Sequence, residues 1–149
     1  MKKSFGDYDP AVAMTWVQAF EGLSLEAYRC PAGVWTIGYG HTGGVQAGET
    51  ITLKRADELL VADLKDIQRR LAPAVKVPVT EGQAIVLLSL AFNVGVSAVA
   101  GSKLLRRLNE GLVEAAADEL LDWTRAGGRE LSGLVNRRRA ERRLFLKEE

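Results

Sequence analysis

The sequence predicts an α+β fold: one helix, then a small antiparallel sheet, then a helical bundle. Three observations lead there. A helix-start signal, Asp9-Pro10, opens the first apolar stripe. Residues 25–52 change to a Gly-, Thr-, Tyr- and Val-rich composition with turn signals. Beyond Thr52, apolar residues recur at helical spacing almost to the end of the chain.

The elements follow in order. Asp9 is a good N-cap and Pro10 suits the first helical position. Val12, Trp16, Ala19, Phe20 and Leu23 then share a face, and Glu21-Gly22 marks the helix end. Pro31-Ala32-Gly33 and Gly43-Gly44 read as turns, and 34–39 as a strand. Thr52 caps a helix whose Ala56, Leu59, Leu60, Leu64, Ile67 and Leu71 lie on one face, with Pro73 and Pro78 closing it. Thr80 and Gln83 have the spacing of a capping box. The helix behind them, 84–94, is apolar on nearly every side, so it is expected to be the buried central helix, ending at Gly95. Shorter helices are expected over 102–109 and 112–124, and a last one over 133–147.

The chain of 149 residues suits a single domain, since domains commonly run to about 100–150 residues. We expect two lobes within 1–149, with boundaries near 9–52 and 53–149. Apolar residues make up 47% and charged ones 26%, which supports a globular core and excludes wholesale disorder. The single cysteine, Cys30, excludes an internal disulfide, and with only one histidine there is no zinc site of the usual Cys/His kind. No metal or cofactor is therefore expected. Met1-Lys2-Lys3 could begin a signal peptide, but Asp7 and Asp9 follow and the apolar run is interrupted, so neither a signal peptide nor a membrane span is expected. The net charge of +1 is uninformative. The clustering of Arg137, Arg138, Arg139, Arg142 and Arg143 is more telling: apart from Arg137, these are read as a solvated helix face able to attract an anionic wall or membrane surface. A nucleic-acid role lacks interleaved aromatic residues or a recognised motif.

The chemistry concentrates in EGLSLEAYRCPAGVWTIGYGHT, residues 21–42. Glu21 falls at a helix C-terminus, where the helix dipole and the apolar neighbours Phe20 and Leu23 disfavour its ionised form. A carboxyl group kept protonated near neutral pH is what glycoside hydrolysis requires to protonate the leaving oxygen. A second group must then act from the other side of the sugar, on water or on the anomeric carbon.

The spacing of Glu21, Cys30 and Thr36, with Ile37-Gly38-Tyr39-Gly40-His41 behind them, resembles the catalytic signature of the phage-type lysozymes, glycoside hydrolase family 24. Ala91-Phe92-Asn93-Val94-Gly95, Leu104 to Gly111, and Gly133-Leu134-Val135-Asn136-Arg137-Arg138 with Glu141 and Phe145 resemble further family segments, so the likeness spans nearly the whole chain. It implies a lysozyme-like fold with a substrate cleft between the lobes. The implied activity is hydrolysis of the β-1,4 bond between N-acetylmuramic acid and N-acetylglucosamine in peptidoglycan. Such an enzyme would be made in a bacterial host's cytoplasm and act on the wall in the periplasm, as a monomer without stable membrane insertion.

The resemblance also implies roles. Glu21 matches the general acid, and Thr36 the threonine facing the reaction centre. Cys30 stands where many members carry Asp. A thiol has an ordinary pKa of about 8.5 against about 3.9 for Asp. As a thiolate Cys30 could activate water or attack carbon; as a thiol it is a poor base, and a free cysteine is commonly a small buried hydrophobe. Arg29 is adjacent, but neighbours in a strand point to opposite faces, so it is not expected to act on Cys30. Arg137 matches the arginine that pairs with the catalytic glutamate and orients it, which opposes the effect of the helix terminus. Thr42 and Phe92 are implied sugar contacts, and His41 a structural brace of the sheet through an ion pair or hydrogen bond. Two alternatives stay open: a lytic transglycosylase, which leaves an anhydro sugar, and a wall-binding relative without catalysis.

Overall fold

In a computed structural model covering residues 1–148, Asp9 caps the first turn, its Oδ1 accepting from the Ala11 N–H at 2.9 Å. The chain forms a 3₁₀ turn, Pro10–Ala13, before the first α-helix, α1, Met14–Phe20. This changes the buried face. A 3₁₀ turn has about three residues per turn against about 3.6 in an α-helix, so the expected stripe falls out of register. Ala13 and Val17 are the fully buried positions, whereas Ala19, Phe20 and Leu23 are exposed. Glu21 is the C-cap of α1, with extended backbone (φ −96°, ψ 140°) and its N–H bonded to Val17 O at 2.9 Å. Gly22 does not take a left-handed φ; the helix ends by running into a strand, not by a glycine C-cap.

That strand, β1 (Ser24–Arg29), pairs antiparallel with β2 (Trp35–Gly38), with Tyr28 opposite Thr36 and Arg29 opposite Trp35. The expected strand at 34–39 is shorter by one residue at each end. Between β1 and β2 the chain turns through Pro31-Ala32-Gly33, closed by Cys30 N–H to Val34 O at 2.9 Å and Gly33 N–H to Cys30 O at 2.8 Å. Gly33 has φ +80°, which favours glycine there. Residues 49–51 return along β1, with Ala27 N–H to Glu49 O at 2.8 Å and Ile51 N–H to Leu25 O at 2.9 Å.

Helix α2, Leu53–Leu71, starts at Thr52, whose hydroxyl accepts from the Arg55 N–H at 3.1 Å. Its apolar face is the expected one, except that Leu59 is only half buried. Helix α3, Glu81–Val94, carries the complete Thr80–Gln83 capping box. Residues 86–91 are all buried, as befits a central helix, and Gly95 ends it with φ +99°. The short α4, Val96–Ala100, was not expected. Helix α5, Lys103–Asn109, follows the Ser102 cap. The segment expected as one helix over 112–124 divides into α6, Val113–Glu119, and a 3₁₀ turn, Leu120–Asp122. A two-residue ribbon, β3 (Arg125–Ala126) with β4 (Arg129–Glu130), was also missed. Its loop, Gly127-Gly128, has positive φ at both positions, the sequence cue of a tight hairpin. Helix α7, Ser132–Leu146, closes the fold.

One apolar cluster runs from Phe5 through Leu60, Leu64 and Leu88 to Leu104 and Phe145, so α7 folds back onto the first turn, α2 and α3. The hairpin lies on α2: Ile37 is fully buried, and a Cβ on Gly38 would meet Ala56 at 3.6 Å. Among the described residues no helix is long and apolar enough to cross a membrane.

Candidate active site

Two structures of opposite character hold the residues singled out by sequence. The first is built from side chains. Glu21, at the end of α1, meets Arg137 of α7, whose Nη1–H donates to Glu21 Oε1 at 2.7 Å. The guanidinium also lies over the Phe20 ring, 5.2 Å from its centroid. Glu21 keeps 23% side-chain exposure while Arg137 has 5%, so the ion pair points its carboxylate end at solvent. Arg137 Nη2 donates to Ser89 on α3, to the hydroxyl at 3.1 Å and the carbonyl at 3.3 Å. The Ser89 hydroxyl donates to Glu141 Oε2 at 2.6 Å, and Glu141 is fully buried.

Arg138 completes the network, and here the expected solvated face is corrected. Arg138 is the largest fully buried side chain among the described residues. It pairs with Glu141 and Asn93 Oδ1 and donates from Nε to Trp123 O at 2.9 Å. Burial lowers its pKa, opposed by the charge of Glu141. Of the other arginines, Arg139 and Arg143 are exposed, and Arg142 pairs with Asp118 at 2.8 Å. Sequence reasoning missed Ser89, Arg138 and Glu141 as site components. The cue was there: Glu141 lies three and four residues beyond Arg138 and Arg137 on one helix face, and Ser89 is the polar residue in the most apolar helix.

The second structure is built from backbone. Cys30 opens the hairpin turn and is partly exposed, and Thr36 is 3% exposed on β2. Hydrogen bonding from the backbone at Val34, and then at Ala32, lowers the Cys30 pKa; desolvation opposes this and the Thr36 side chain assists it. Arg29 contributes nothing to that shift: its guanidinium lies over the Trp35 ring at 5.1 Å. Thr36 donates its hydroxyl proton to Val34 O at 2.9 Å. A hydroxyl has one proton and two lone pairs, so Oγ1 can also accept from a water.

His41 belongs to neither set. Its Nδ1 lies 2.8 Å from Asp63 Oδ2 and its Nε2 2.9 Å from Gly43 O, tying the loop after β2 to α2. Asp63 is a partner that sequence reasoning missed. Thr42 and Phe92 line one cleft of about 250 Å³ with His41, Gly40 and Ile67. Phe92, from the end of α3, reaches Gly40 closely enough that a Cβ there would lie 3.9 Å from its ring. No group of three or more His, Cys, Asp or Glu side chains among the described residues could hold a metal ion.

Comparison with known proteins identifies the family. Residues 18–141 match the phage lysozyme family. The endolysin of Salmonella phage P22 is 44% identical over 138 residues, covering 89% of this chain and 94% of that protein. The SAR-endolysin of Enterobacteria phage P21 is 40% identical over 127 residues, covering 85% and 77%. Among solved structures, the muramidase domain of SpmX from Asticaccaulis excentricus superposes with a TM-score of 0.85 at 38% identity, over 91% of this chain and 95% of that one. With the Glu21, Cys30 and Thr36 spacing, the buried arginine pair and this match over most of its length, the chain belongs to the phage lysozyme family.

Proposed function

We propose that this chain is a muramidase of the endolysin type, hydrolysing the glycosidic bond between N-acetylmuramic acid and N-acetylglucosamine and so lysing the host cell. The observation that carries the reading is Glu21. It is a carboxyl group at a helix end, partly open to solvent, held by an arginine whose remaining bonds are buried in the fold.

In this reading Glu21, protonated, gives its proton to the glycosidic oxygen as the bond to the anomeric carbon breaks. Water attacks that carbon from the opposite side. Thr36 Oγ1 accepts a hydrogen bond from this water, and the Cys30 thiolate takes its proton. The lowered Cys30 pKa supports the base role by raising the thiolate fraction near neutral pH. Thr42 and Phe92 line the sugar path, His41 braces it, and the substrate lies between the hairpin lobe (9–52) and the helical lobe (53–149). The enzyme acts as a monomer on the periplasmic wall, without a cofactor.

The deciding experiment digests purified peptidoglycan and analyses the products by mass spectrometry and anomeric NMR. Reducing muramic ends with an inverted anomeric configuration are expected. Anhydromuramic products would replace the hydrolase reading with a transglycosylase; a retained configuration would make Cys30 a nucleophile; no cleavage would leave a wall-binding module.

A further inference from the structure

The buried network poses a problem that the catalytic reading leaves unsolved. An arginine donates to Oε1 of the general acid at 2.7 Å and sets its positive charge against that carboxyl group, yet the acid must carry a proton to work. Glu141 lies on the far side of the same guanidinium. Its Oε2 is 3.6 Å from Arg137 Nε, too far for a hydrogen bond, and that Nε–H is buried without a hydrogen-bond partner among the described residues. The oxygen that could satisfy it is held instead by the Ser89 hydroxyl at 2.6 Å, and the same hydroxyl accepts from Arg137 Nη2.

We propose that Glu141 and Ser89 are positioning residues for the acid: Glu141 shares the charge of Arg137 with Glu21, and Ser89 keeps the guanidinium extended toward Glu21. The charged groups brought against Arg137 are Glu21 from the end of α1, and Glu141 and Arg138 on its own helix. Helix α3 contributes only the uncharged Ser89, and α1 the Phe20 ring. Four charges thus balance when Glu21 is ionised. When Glu21 takes up a proton, Glu141 is the one remaining carboxylate near two buried guanidinium groups, and the unsatisfied Nε–H gives Arg137 a bond to close toward it. The proposal rests on Glu21 being the acid.

The two residues act on Arg137 in opposite senses, and the test uses this. Removing the Glu141 charge leaves Arg137 to Glu21 alone, so the limb of the pH–activity profile set by Glu21, identified by its loss in Glu21→Gln, moves to lower pH. Removing the Ser89 hydroxyl frees Oε2 to bond Nε and draws Arg137 back, so the limb moves to higher pH. The rate falls about ten-fold with the loss of a hydrogen bond to a charged group.

The experiment measures kcat and KM against pH on soluble peptidoglycan fragments for wild type, Ser89→Ala, Glu141→Gln, Glu21→Gln and Leu108→Ala. Leu108→Ala lowers the unfolding temperature without touching the network and controls for stability. Opposite displacements of the limb set by Glu21, with kcat falling more than KM changes, are expected. Wild-type profiles in a folded Ser89→Ala overturn the proposal, as does a shift of the same kind in Leu108→Ala. If Glu141→Gln does not fold, Ser89→Ala decides alone. Activity retained in Glu21→Gln instead overturns the catalytic reading, which separates the two failures.

Discussion

The two halves of the site are held by different physics. Around Glu21, side chains do the holding: two buried arginines, one fully buried glutamate and a buried serine from two helices, α7 and α3. Around Cys30, one hairpin turn does it, with backbone groups aimed at a partly exposed sulfur. In the proposed reading the helical half couples catalysis to folding, because a buried charge that loses its partner destabilises strongly. The hairpin half separates them, because a turn keeps its backbone bonds whatever side chain Cys30 bears. Changes at the hairpin should alter rate with little effect on stability, and changes in the network should alter both.

The largest expected effect tests the helical half at its tip. Glu21→Gln should abolish lysis, with a loss beyond the roughly 10²–10⁴-fold of one acid–base group, measured as clearance of permeabilised cells. Next is its root. Arg138→Met leaves Glu141 short of a counter-charge and Trp123 O and Asn93 without a donor, so urea unfolding should show a loss of about 3–5 kcal/mol. A loss below about 1 kcal/mol, the scale of a surface pair, would break the comparison.

The hairpin half should behave in the opposite way. Cys30→Ser should lower the rate about 10²-fold, the low end of the range of a lost base, and leave the unfolding temperature almost unchanged; Cys30→Asp should restore the rate. Iodoacetamide labelling of Cys30 should rise with pH around a midpoint below the ordinary thiol value of about 8.5. The sign for stability follows. A thiol with a depressed folded pKa stabilises the native state fully above the unfolded pKa, and this contribution disappears as pH falls through the folded value. The stability difference between wild type and Cys30→Ser should therefore widen with rising pH. The smallest effect is at His41: Asp63→Asn should lower stability by about 1 kcal/mol, the worth of one hydrogen bond, and change the rate little.

How much could be read in advance differs between these halves. The hairpin is local: Pro31-Ala32-Gly33 announces the turn, and the spacing of Cys30 and Thr36 places both beside it. The long helices were equally legible, because Thr52, Thr80 and Gln83 cap them with bonds spanning three residues. Errors arose where a short-range choice lacked a strong signal. The 3₁₀ start before α1 turned the expected face, α4 went unseen, and Gly127-Gly128 was passed over although its cue was present. The helical half of the site was the least legible. Family resemblance linked Arg137 to Glu21, 116 residues away, but nothing in the local pattern marked Arg138 as buried.

The sequence by itself therefore determined the order of the elements, the central apolar helix, the hairpin and the spacing of Glu21, Cys30 and Thr36. Each depends on periodicity, caps or turns that act over a few residues. Only the tertiary structure decided which charges are buried and whom they face. A run of five arginines in seven positions looks uniformly polar along the chain. Packing of α7 against α3 and the end of α1 divides it, leaving Arg139 and Arg143 in water and closing Arg137 and Arg138 around Glu141. Desolvation depends on what surrounds a group from every side, and that information is not local.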